Sequence, residues 1–336
     1  AFDWRNYEYS KKSLEFSNTE AGFLTLKAWM DDIAERHGKT DVIPGMEPTG
    51  HYWFALGQFL QDSGMKPVHV NPHHVKKSKE LDDNNPNKND RKDPKTIAAL
   101  VNEGRFSYPY IPTGIYAEIR SLSNLRFQTQ EELTRIKNRI ARWFSIYFPE
   151  YKYVYGDLKA VSGRMVLKAA PLPEDIVKLG AEGVNRIWRD AKLRGAGMKR
   201  AKTLVSAAEH SVGSKEAPGA ARIELKNLLN DMDIYAARLE ELLRSIEEKL
   251  KEIPCIDKLM AIKGIGLVTV SGFIAEVGDI GCFDNSKQLQ KLAGYAIVAN
   301  DSGKHKGESR ISYRGRKRLR YVLYEAAISL IGKNAE

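Results

Sequence analysis

The sequence contains little cysteine and no long apolar segment. Only two of its 336 residues are cysteine, Cys255 and Cys282. This excludes a disulfide framework and a zinc site built from cysteine, and it fits a reducing compartment such as the cytoplasm. No uninterrupted apolar run approaches the roughly 18 residues that a membrane-spanning helix needs, and no signal peptide is recognisable. We therefore expect a cytoplasmic protein without a membrane partner.

Acidic residues are too few to balance the basic ones. Lysine and arginine together number 53 and aspartate and glutamate 43, which gives a formal net charge of +10 and a pI of about 9.3. A folded chain with this charge typically meets a polyanion such as nucleic acid, although a merely basic solvated surface is the alternative. With 42% hydrophobic residues, the chain has enough apolar side chains to form real cores. Its length suggests two domains or one domain with large insertions.

The first 112 residues alternate between strand and helix patterns. Residues 1–16 resemble the middle of a β-hairpin with its turn at Arg5–Asn6. Because an isolated hairpin is only marginally stable, we expect at least one strand to precede residue 1. The rest predicts an α/β domain with a mixed sheet. Its predicted elements are helices at 20–37 and 49–64, strands at 41–47 and 66–72, a polar loop at 76–88, and a helix that begins near Asp93.

Two later segments carry apolar residues at the three- and four-residue spacing of long helices. They span residues 116–148 and 223–253. Heptads of this kind predict coiled-coil helices that pair within one chain or between two chains, and an ordinary helical hairpin is the alternative. Between them, residues 151–218 have a helical, basic and glycine-interrupted pattern, without a recognisable catalytic motif.

The last segment, residues 254–333, contains the stretch AIKGIGLVTVSGF. A helix that ends in Gly-Ile-Gly and is followed by a second helix is typical of the helix-hairpin-helix motif. In that motif the glycines, here Gly264 and Gly266, let backbone N–H groups approach a phosphate. A tight turn between two core helices is the alternative.

Three carboxylates in the α/β segment are candidate metal ligands. Glu47 ends a predicted strand, and Asp90 and Asp93 lie three residues apart in NKNDRKDPKTIAAL. A Mg²⁺ site needs oxygen ligands that meet at strand ends and a helix. Asp93 has an alternative role, because an aspartate before Pro94 at a helix start is an ordinary N-cap. Three histidines are irregularly placed rivals for which we favour surface or phosphate-facing roles: His69, His73 and His74.

The C-terminal region is dense in cations. Between residues 302 and 320 one acid, Glu308, stands against eight basic residues: Lys304, Lys306, Arg310, Arg314, Arg316, Lys317, Arg318 and Arg320. Such density suits a loop that follows a phosphate backbone into a helix. A serine in a flexible, cation-rich loop is a candidate nucleophile towards a phosphodiester, because nearby arginines stabilise the developing charge. The residues alone do not choose Ser302 over Ser309 or Ser312.

In their linked order these stretches resemble the DEDD transposases of insertion sequences, DNA recombinases related to the pilin-gene invertases, some of which use a bridge RNA. The resemblance covers nearly the whole chain. It rests on FSNTEAGFLTLKAWM, MEPTGHYW, VNPHHVKK and KNDRKDPKTIA in the first part, and on IKGIG, QLQKLAGYAIVANDSG and GESRISYRGRKRLRYVLYEAA in the second. The order of these segments is more specific than any one of them.

The resemblance implies a ribonuclease-H-like, Holliday-junction-resolvase-like domain whose four acids bind Mg²⁺. Three of the acids match Glu47, Asp90 and Asp93, and the first is expected on a strand before residue 1. The family's serine nucleophile matches Ser302 of NDSG, which would form a covalent phosphoserine link to DNA. The composite site is then expected to be supplied across the subunits of a homodimer or homotetramer.

The predicted organisation is therefore α/β plus all-α. Residues 1–115 are expected to form the incomplete ribonuclease-H-like domain, residues 116–252 a coiled-coil and helical insertion, and residues 253–336 a mainly helical transposase domain with the helix-hairpin-helix and the serine. The first hypothesis for function is a Mg²⁺-assisted serine recombinase acting on DNA, with or without a bridge RNA as its guide.

Two rival hypotheses remain open. One is a metal nuclease of the junction-resolvase type, in which Ser302 only contacts DNA. The other is a basic nucleic-acid-binding scaffold without catalysis, because the first acid is absent from this chain. For the same reason we expect the chain as given to be impaired in catalysis.

Overall fold

The computed structural model describes residues 1, 8, 13–48, 50–83, 93–156, 158–254, 256–298, 301–302 and 305–332. For residues 82–83, 301–302 and 305–306 it describes the backbone alone. The chain divides into two compact units, residues 1–111 and residues 112–336. Helices dominate both units, and the described strands are short two-residue pairs. The hairpin predicted at residues 1–16 lies mostly outside the described residues.

The first unit places helices around a small parallel sheet. Its elements are α1 (Glu20–Arg36), β1 (Gly45–Met46), α2 (Trp53–Asp62), β2 (Val68–His69), α3 (Pro72–Asp83) and α4 (Asp93–Asn102). The strands pair in parallel, with Gly45 opposite Val68 and Met46 opposite His69. Val70, Val75 and Leu100 form the buried core beside this sheet. The predicted helices and strands are present, but each strand is much shorter than its pattern suggested.

The polar loop predicted at residues 76–88 is wrong over its described part, where the chain forms α3. Asn71 caps this helix, because its Oδ1 accepts a hydrogen bond from the His73 N–H at 2.9 Å. Pro72 follows at a position where its missing N–H removes no helical hydrogen bond. The sequence signal of this helix is a charged pair in place of the usual apolar stripe. Lys77 and Glu80, three residues apart, form an ion pair at 2.9 Å, which is a helical spacing.

The second unit is mainly helical. Its helices are α5 (Gly114–Tyr147), α6 (Tyr151–Tyr155), α7 (Val161–Ala169), α8 (Pro173–Asp190), α9 (Met198–Glu209), α10 (Pro218–Leu250), α11 (Ile256–Met260), α12 (Leu267–Val277), α13 (Ser286–Ala293) and α14 (Lys317–Ile331). Four short strands lie before α14: β3 (Ile297–Val298), β4 (Asp301–Ser302), β5 (His305–Lys306) and β6 (Arg310–Ile311). No helix among the described residues combines the length and apolar character needed to cross a membrane.

The two long helices, α5 and α10, pack along each other within the chain. Their buried residues include Trp143 on α5 and Leu225 and Leu228 on α10. The indole N–H of Trp143 donates a hydrogen bond to the Ala221 carbonyl at 3.0 Å, which satisfies the one polar atom of that side chain. The heptad-like stripes therefore meet inside one chain, and α6 to α9 close one end of the pair.

The other end of the helix pair carries the C-terminal elements. Ile119 of α5 and Ile246 of α10 share a core with Ile274 of α12. The Ser123 hydroxyl on α5 donates to the Ser271 carbonyl on α12 at 3.3 Å. A further core joins α12, α13 and α14. α13 and α14 are thus connected to α5 through α12.

Candidate functional site

Glu47 lies at the carboxyl edge of the parallel sheet. It follows Met46, the last residue of β1, whose carbonyl accepts a hydrogen bond from the Val70 N–H at 3.0 Å. The carboxyl ends of parallel strands meet at one sheet edge, where α/β domains commonly bind ligands. Its side chain is half-buried. The fold therefore places Glu47 where a strand-end ligand is expected.

Asp93 begins the helix that packs on the same sheet. At Gly45 of β1 a Cβ would come within 2.5 Å of Val101 Cγ2, so glycine lets α4 lie directly on the strand. Asp93 is the first residue of α4. The expected arrangement, with Asp93 as N-cap and Pro94 as the first helical residue, is therefore shifted by one position.

Lys79 of α3 forms an ion pair with Oδ1 of Asp93. The two side chains are 21% and 26% exposed, so the pair is partly shielded from water. The ammonium group shows that this carboxylate already accommodates a positive charge. Glu47 and Asp93 provide the hard oxygen donors that Mg²⁺ prefers, so these donors fit the metal, which would compete with Lys79.

The third expected ligand, Asp90, lies outside the described residues. Within the part of the chain that the structure describes, no group of three or more His, Cys, Asp or Glu side chains is placed to hold a metal ion. Two of the three acids, Glu47 and Asp93, belong to that part. Convergence of all three carboxylates stays a prediction.

The three histidines differ in burial. His69, at the end of β2, packs edge-on against Trp53 with ring centres 4.2 Å apart. Burial lowers the pKa of His69, which favours its neutral form at neutral pH. His73 and His74, in the first turn of α3, are exposed. The expected surface position therefore fits the latter two, whereas His69 is packed within the unit.

Ser302 lies in a paired strand, which corrects the expected flexible loop. β3 pairs antiparallel with β6, and β4 pairs antiparallel with β5, with Ser302 opposite His305. Residues 303–304, between β4 and β5, lie outside the described residues. The β-branched residues Ile297 and Ile311 face each other at the base of the hairpin, where such residues favour extended backbone. Ser302 is thus the last residue of β4 and is paired with the first residue of β5.

Gly264 and Gly266, in the turn between α11 and α12, have different surroundings. Gly264 has φ +95°, and a Cβ there would lie 2.9 Å from the Ser329 carbonyl oxygen of α14. Gly266 is the N-cap of α12, with extended backbone and open space around it. The N–H groups at the start of α12 favour an anion. Gly264 therefore holds the turn against α14, and Gly266 leaves the start of α12 open.

Three arginines from the cation-rich segment are engaged inside the C-terminal fold. Arg316 donates a hydrogen bond to a main-chain carbonyl of α12. Arg318 donates to the side-chain amide oxygen of Asn124 on α5. Arg320 donates to the Ala293 carbonyl of α13 at 2.8 Å. These contacts attach the start of α14 to three other helices.

Three other cations of the segment are exposed, and the side chains of the remaining two are not described. Arg314 and Lys317 are exposed. Arg310 is exposed and pairs with a glutamate two residues earlier at 3.0 Å. Lys306 is described by its backbone alone, and Lys304 lies outside the described residues. Arg314 and Lys317 are therefore accessible to a polyanion from solvent, and Arg310 is accessible but already paired.

Arg126 of α5 is a cation that the sequence did not single out. It lies near Arg318 and Tyr321 of α14, and the Arg318 guanidinium stacks 4.6 Å above the ring of Phe127. Burial lowers the pKa of Arg126, the Tyr321 hydroxyl opposes this shift, and the like charge of Arg318 adds to it. No carboxylate among the described residues pairs with Arg126. A guanidinium group beside a second cation favours a bound anion.

Two family models match the chain. One, described as a transposase and named for the DEDD transposases of IS110 type, matches residues 7–149. The other, described as the transposase IS116/IS110/IS902 family, matches residues 256–336. The first match covers most of the first unit and α5, and the second covers α11 to α14.

Several curated proteins are similar to the chain. An uncharacterized 44.8 kDa protein of insertion element IS116 from Streptomyces clavuligerus is 26% identical over 246 residues, which is 71% of this chain and 60% of that protein. An uncharacterized 42 kDa protein of insertion element IS900 from Mycobacterium paratuberculosis is 23% identical over 244 residues, 70% of this chain and 60% of that protein. A probable family 20 transposase from Pseudomonas aeruginosa is 30% identical over 108 residues, 32% of this chain and 31% of that protein. The chain thus spans 60% of the length of the first two.

The different surroundings of the two glycines predict different effects of the same substitution. Gly264→Ser is expected to lower the free energy of unfolding by about 2 kcal/mol, because its positive φ is strained for serine and the Cβ meets α14. Gly266→Ser is the matched control and should change it by less than about 0.5 kcal/mol, since serine is a good N-cap. Urea unfolding followed by circular dichroism measures both. Equal destabilisation by the two substitutions would contradict the assignment.

Proposed function

Because the chain belongs to the DEDD transposase family of IS110-type insertion sequences, we propose that it acts as the DNA recombinase of such an element. We assign strand cutting and rejoining to Ser302, assisted by Mg²⁺ held by Glu47, Asp90 and Asp93. The observation that supports this most is the match of both family models in order. The acids fall in the first match and the serine falls in the second.

Ser302 suits a transesterification that conserves the energy of the phosphodiester. Its Oγ attacks the phosphorus of a DNA phosphodiester and forms a serine–phosphate bond, while the bond from phosphorus to one deoxyribose oxygen breaks. The serine proton leaves to a base or water, and the departing oxygen takes up a proton. A deoxyribose hydroxyl later attacks the phosphoserine and reverses the exchange. Rejoining therefore needs no nucleotide cofactor.

The acidic cluster supplies negative charge from three points of the first unit. A bound Mg²⁺ would offset the charge that develops on phosphate oxygens. Glu47 contributes from a strand end, Asp93 from a helix start, and Asp90 from the segment before that helix. Lys79 neutralises Asp93 when no metal is bound, which limits repulsion among the acids. The parallel strands with α4 packed on them fit the ribonuclease-H-like domain that the family resemblance implies.

DNA contact is assigned to exposed cations of the second unit and to the open start of α12. The direct contacts are proposed for Gly266, Lys304, Lys306, Arg310, Arg314 and Lys317. Indirect support, by holding the turn and α14 in place, is proposed for Gly264, Arg316 and Arg320. Arg318 has both roles, because it anchors α14 through Asn124 and also lies near Arg126. A bridge RNA and a homodimer or homotetramer belong to the same proposal, on the strength of the family resemblance alone.

The serine assignment predicts the outcome of a recombination assay. Ser302→Ala should lower strand exchange on a supercoiled plasmid that carries the element ends by at least about a thousandfold, because no other group takes over as nucleophile. Ser309→Ala, in the same cation-rich segment, is the matched control and should retain activity within about fivefold. The assay uses the full-length protein of the element. Activity of Ser302→Ala near that of the parent would support the metal-nuclease hypothesis instead.

The metal assignment predicts a change in Mg²⁺ dependence. Asp93→Asn should raise the Mg²⁺ concentration for half-maximal strand cleavage at least about tenfold, because the substitution removes a charged ligand. Asp62→Asn, which alters an exposed carboxylate on α2, controls for the loss of one negative charge. If Asp93 only pairs with Lys79 at the start of α4, its substitution will lower the unfolding midpoint and leave the Mg²⁺ profile unchanged.

A further inference from the structure

An open cavity of about 820 Å³ lies in the second unit, between the α5–α10 pair and the segment of α6 and α7. None of the residues assigned to catalysis or DNA contact above lines it. Its apolar walls are formed by Leu133, Ala141, Phe144, Tyr151, Met232 and Ala236. The volume falls within the range of roughly 300–1,000 Å³ that small-molecule pockets occupy in proteins.

The aromatic wall of this cavity is a stack of rings. Phe144 and Tyr151 lie parallel, with ring centres 4.3 Å apart and planes 8° from each other. Tyr151 stacks in turn on Tyr155 at 5.1 Å. Tyr151 is buried, whereas Phe144 is partly exposed. A planar aromatic ligand that enters the cavity can therefore pack against a rigid stack.

The described residues of the cavity rim are mainly basic. Lys137, Lys152, Lys159 and Arg164 are its described basic residues. The described acid, Asp233, is already paired with Lys168. Lys137 forms no ion pair or hydrogen bond with a described residue, and the Lys152 ammonium lies 5.0 Å from the ring centre of Tyr153. An apolar, aromatic interior below a cationic rim matches a ligand that combines a planar ring with negative charge.

The Arg164 guanidinium fixes one side of the rim. Its Nη1 donates hydrogen bonds to the Leu158 carbonyl at 2.6 Å and to the Lys159 carbonyl at 2.9 Å. These bonds hold the turn between α6 and α7 against the cavity. The site is therefore partly organised before a ligand binds, which lowers the entropic cost of binding.

We propose that this cavity binds one nucleotide of a single-stranded nucleic acid. The base packs on Phe144, and the neighbouring phosphates lie against Lys137 and Lys152. A paired base in a duplex is stacked between its neighbours and does not reach such a cavity, whereas an unpaired base does. The residues that line the cavity include neither Ser302 nor the three acids, so the inference goes beyond the proposed recombinase chemistry.

Charge reversal tests the phosphate contacts. The probe is a fluorescein-labelled 12-nucleotide single strand, as DNA and as RNA, and its anisotropy is measured on the full chain between about 50 and 200 mM salt. Lys137→Glu combined with Lys152→Glu should weaken binding at least tenfold and reduce the salt slope by about 1.4, at about 0.7 per phosphate on single strands. Lys202→Glu combined with Lys226→Glu is the charge-matched control. Equal weakening by both pairs overturns the proposal.

Filling the cavity tests the base contact. Ala141→Trp introduces bulk at an exposed position of α5 without changing charge. The substitution should weaken binding of the 12-nucleotide strand at least about fivefold. Binding of an abasic strand of the same length should be unchanged, because only the base occupies the cavity. Unchanged affinity for both strands overturns the proposal.

Competition by free AMP distinguishes a nucleotide within a nucleic acid from a free nucleotide, because both present a base and a phosphate. AMP should compete with the strand only at concentrations at least a hundredfold above the affinity of the strand, because one nucleotide lacks the flanking phosphates. Affinity of AMP equal to that of the strand would overturn the assignment to nucleic acid and indicate a free nucleotide. These binding measurements do not depend on Ser302, so their failure is distinguishable from failure of the recombinase proposal.

Discussion

The packing of α5 along α10 is the contact on which the second unit depends. One end of the pair buries Trp143 and Leu225 in the larger core, and the other end buries Ile119 and Ile246 in a core shared with α12. A single pair of helices therefore organises both ends of the unit. Burial of an aliphatic side chain such as Leu225 is typically worth about 1.5–3 kcal/mol, so the pair contributes substantially to the stability of the unit.

β4 and β5, which carry Ser302, lie in the chain between α13 and α14, and contacts to α5 hold the C-terminal helices. α12 is joined to α5 by the Ser123 hydrogen bond, and α14 is joined to α5 by Arg318. Composition assigns Arg316, Arg318 and Arg320 to DNA contact, but their hydrogen bonds hold the start of α14 in place. A guanidinium that donates to a carbonyl has fewer N–H groups left for a phosphate. Composition alone cannot make this distinction, because it depends on which atoms each arginine reaches.

The sequence predicted elements with strong periodicity and missed those without it. α1, α5 and α10 carry apolar stripes, and the structure contains all three. The polar side chains of α3 predict a loop, although Asn71 and Pro72 are a recognisable helix start. The pair of Lys79 and Asp93 brings together two elements separated by the segment around Asp90, and no local pattern encodes it. The cavity beside Phe144 likewise arises only when four helices meet.

The covalent link at Ser302 is the most direct test of the proposed chemistry. Reaction of the full-length protein with DNA that carries the element ends, followed by nuclease digestion and tandem mass spectrometry, locates any residue that bears a nucleotide. The prediction is a phosphodiester on Ser302, in the peptide from the β4 strand. A nucleotide on Ser309, Ser312 or Tyr313, or strand cleavage without any covalent protein–DNA adduct, would contradict it.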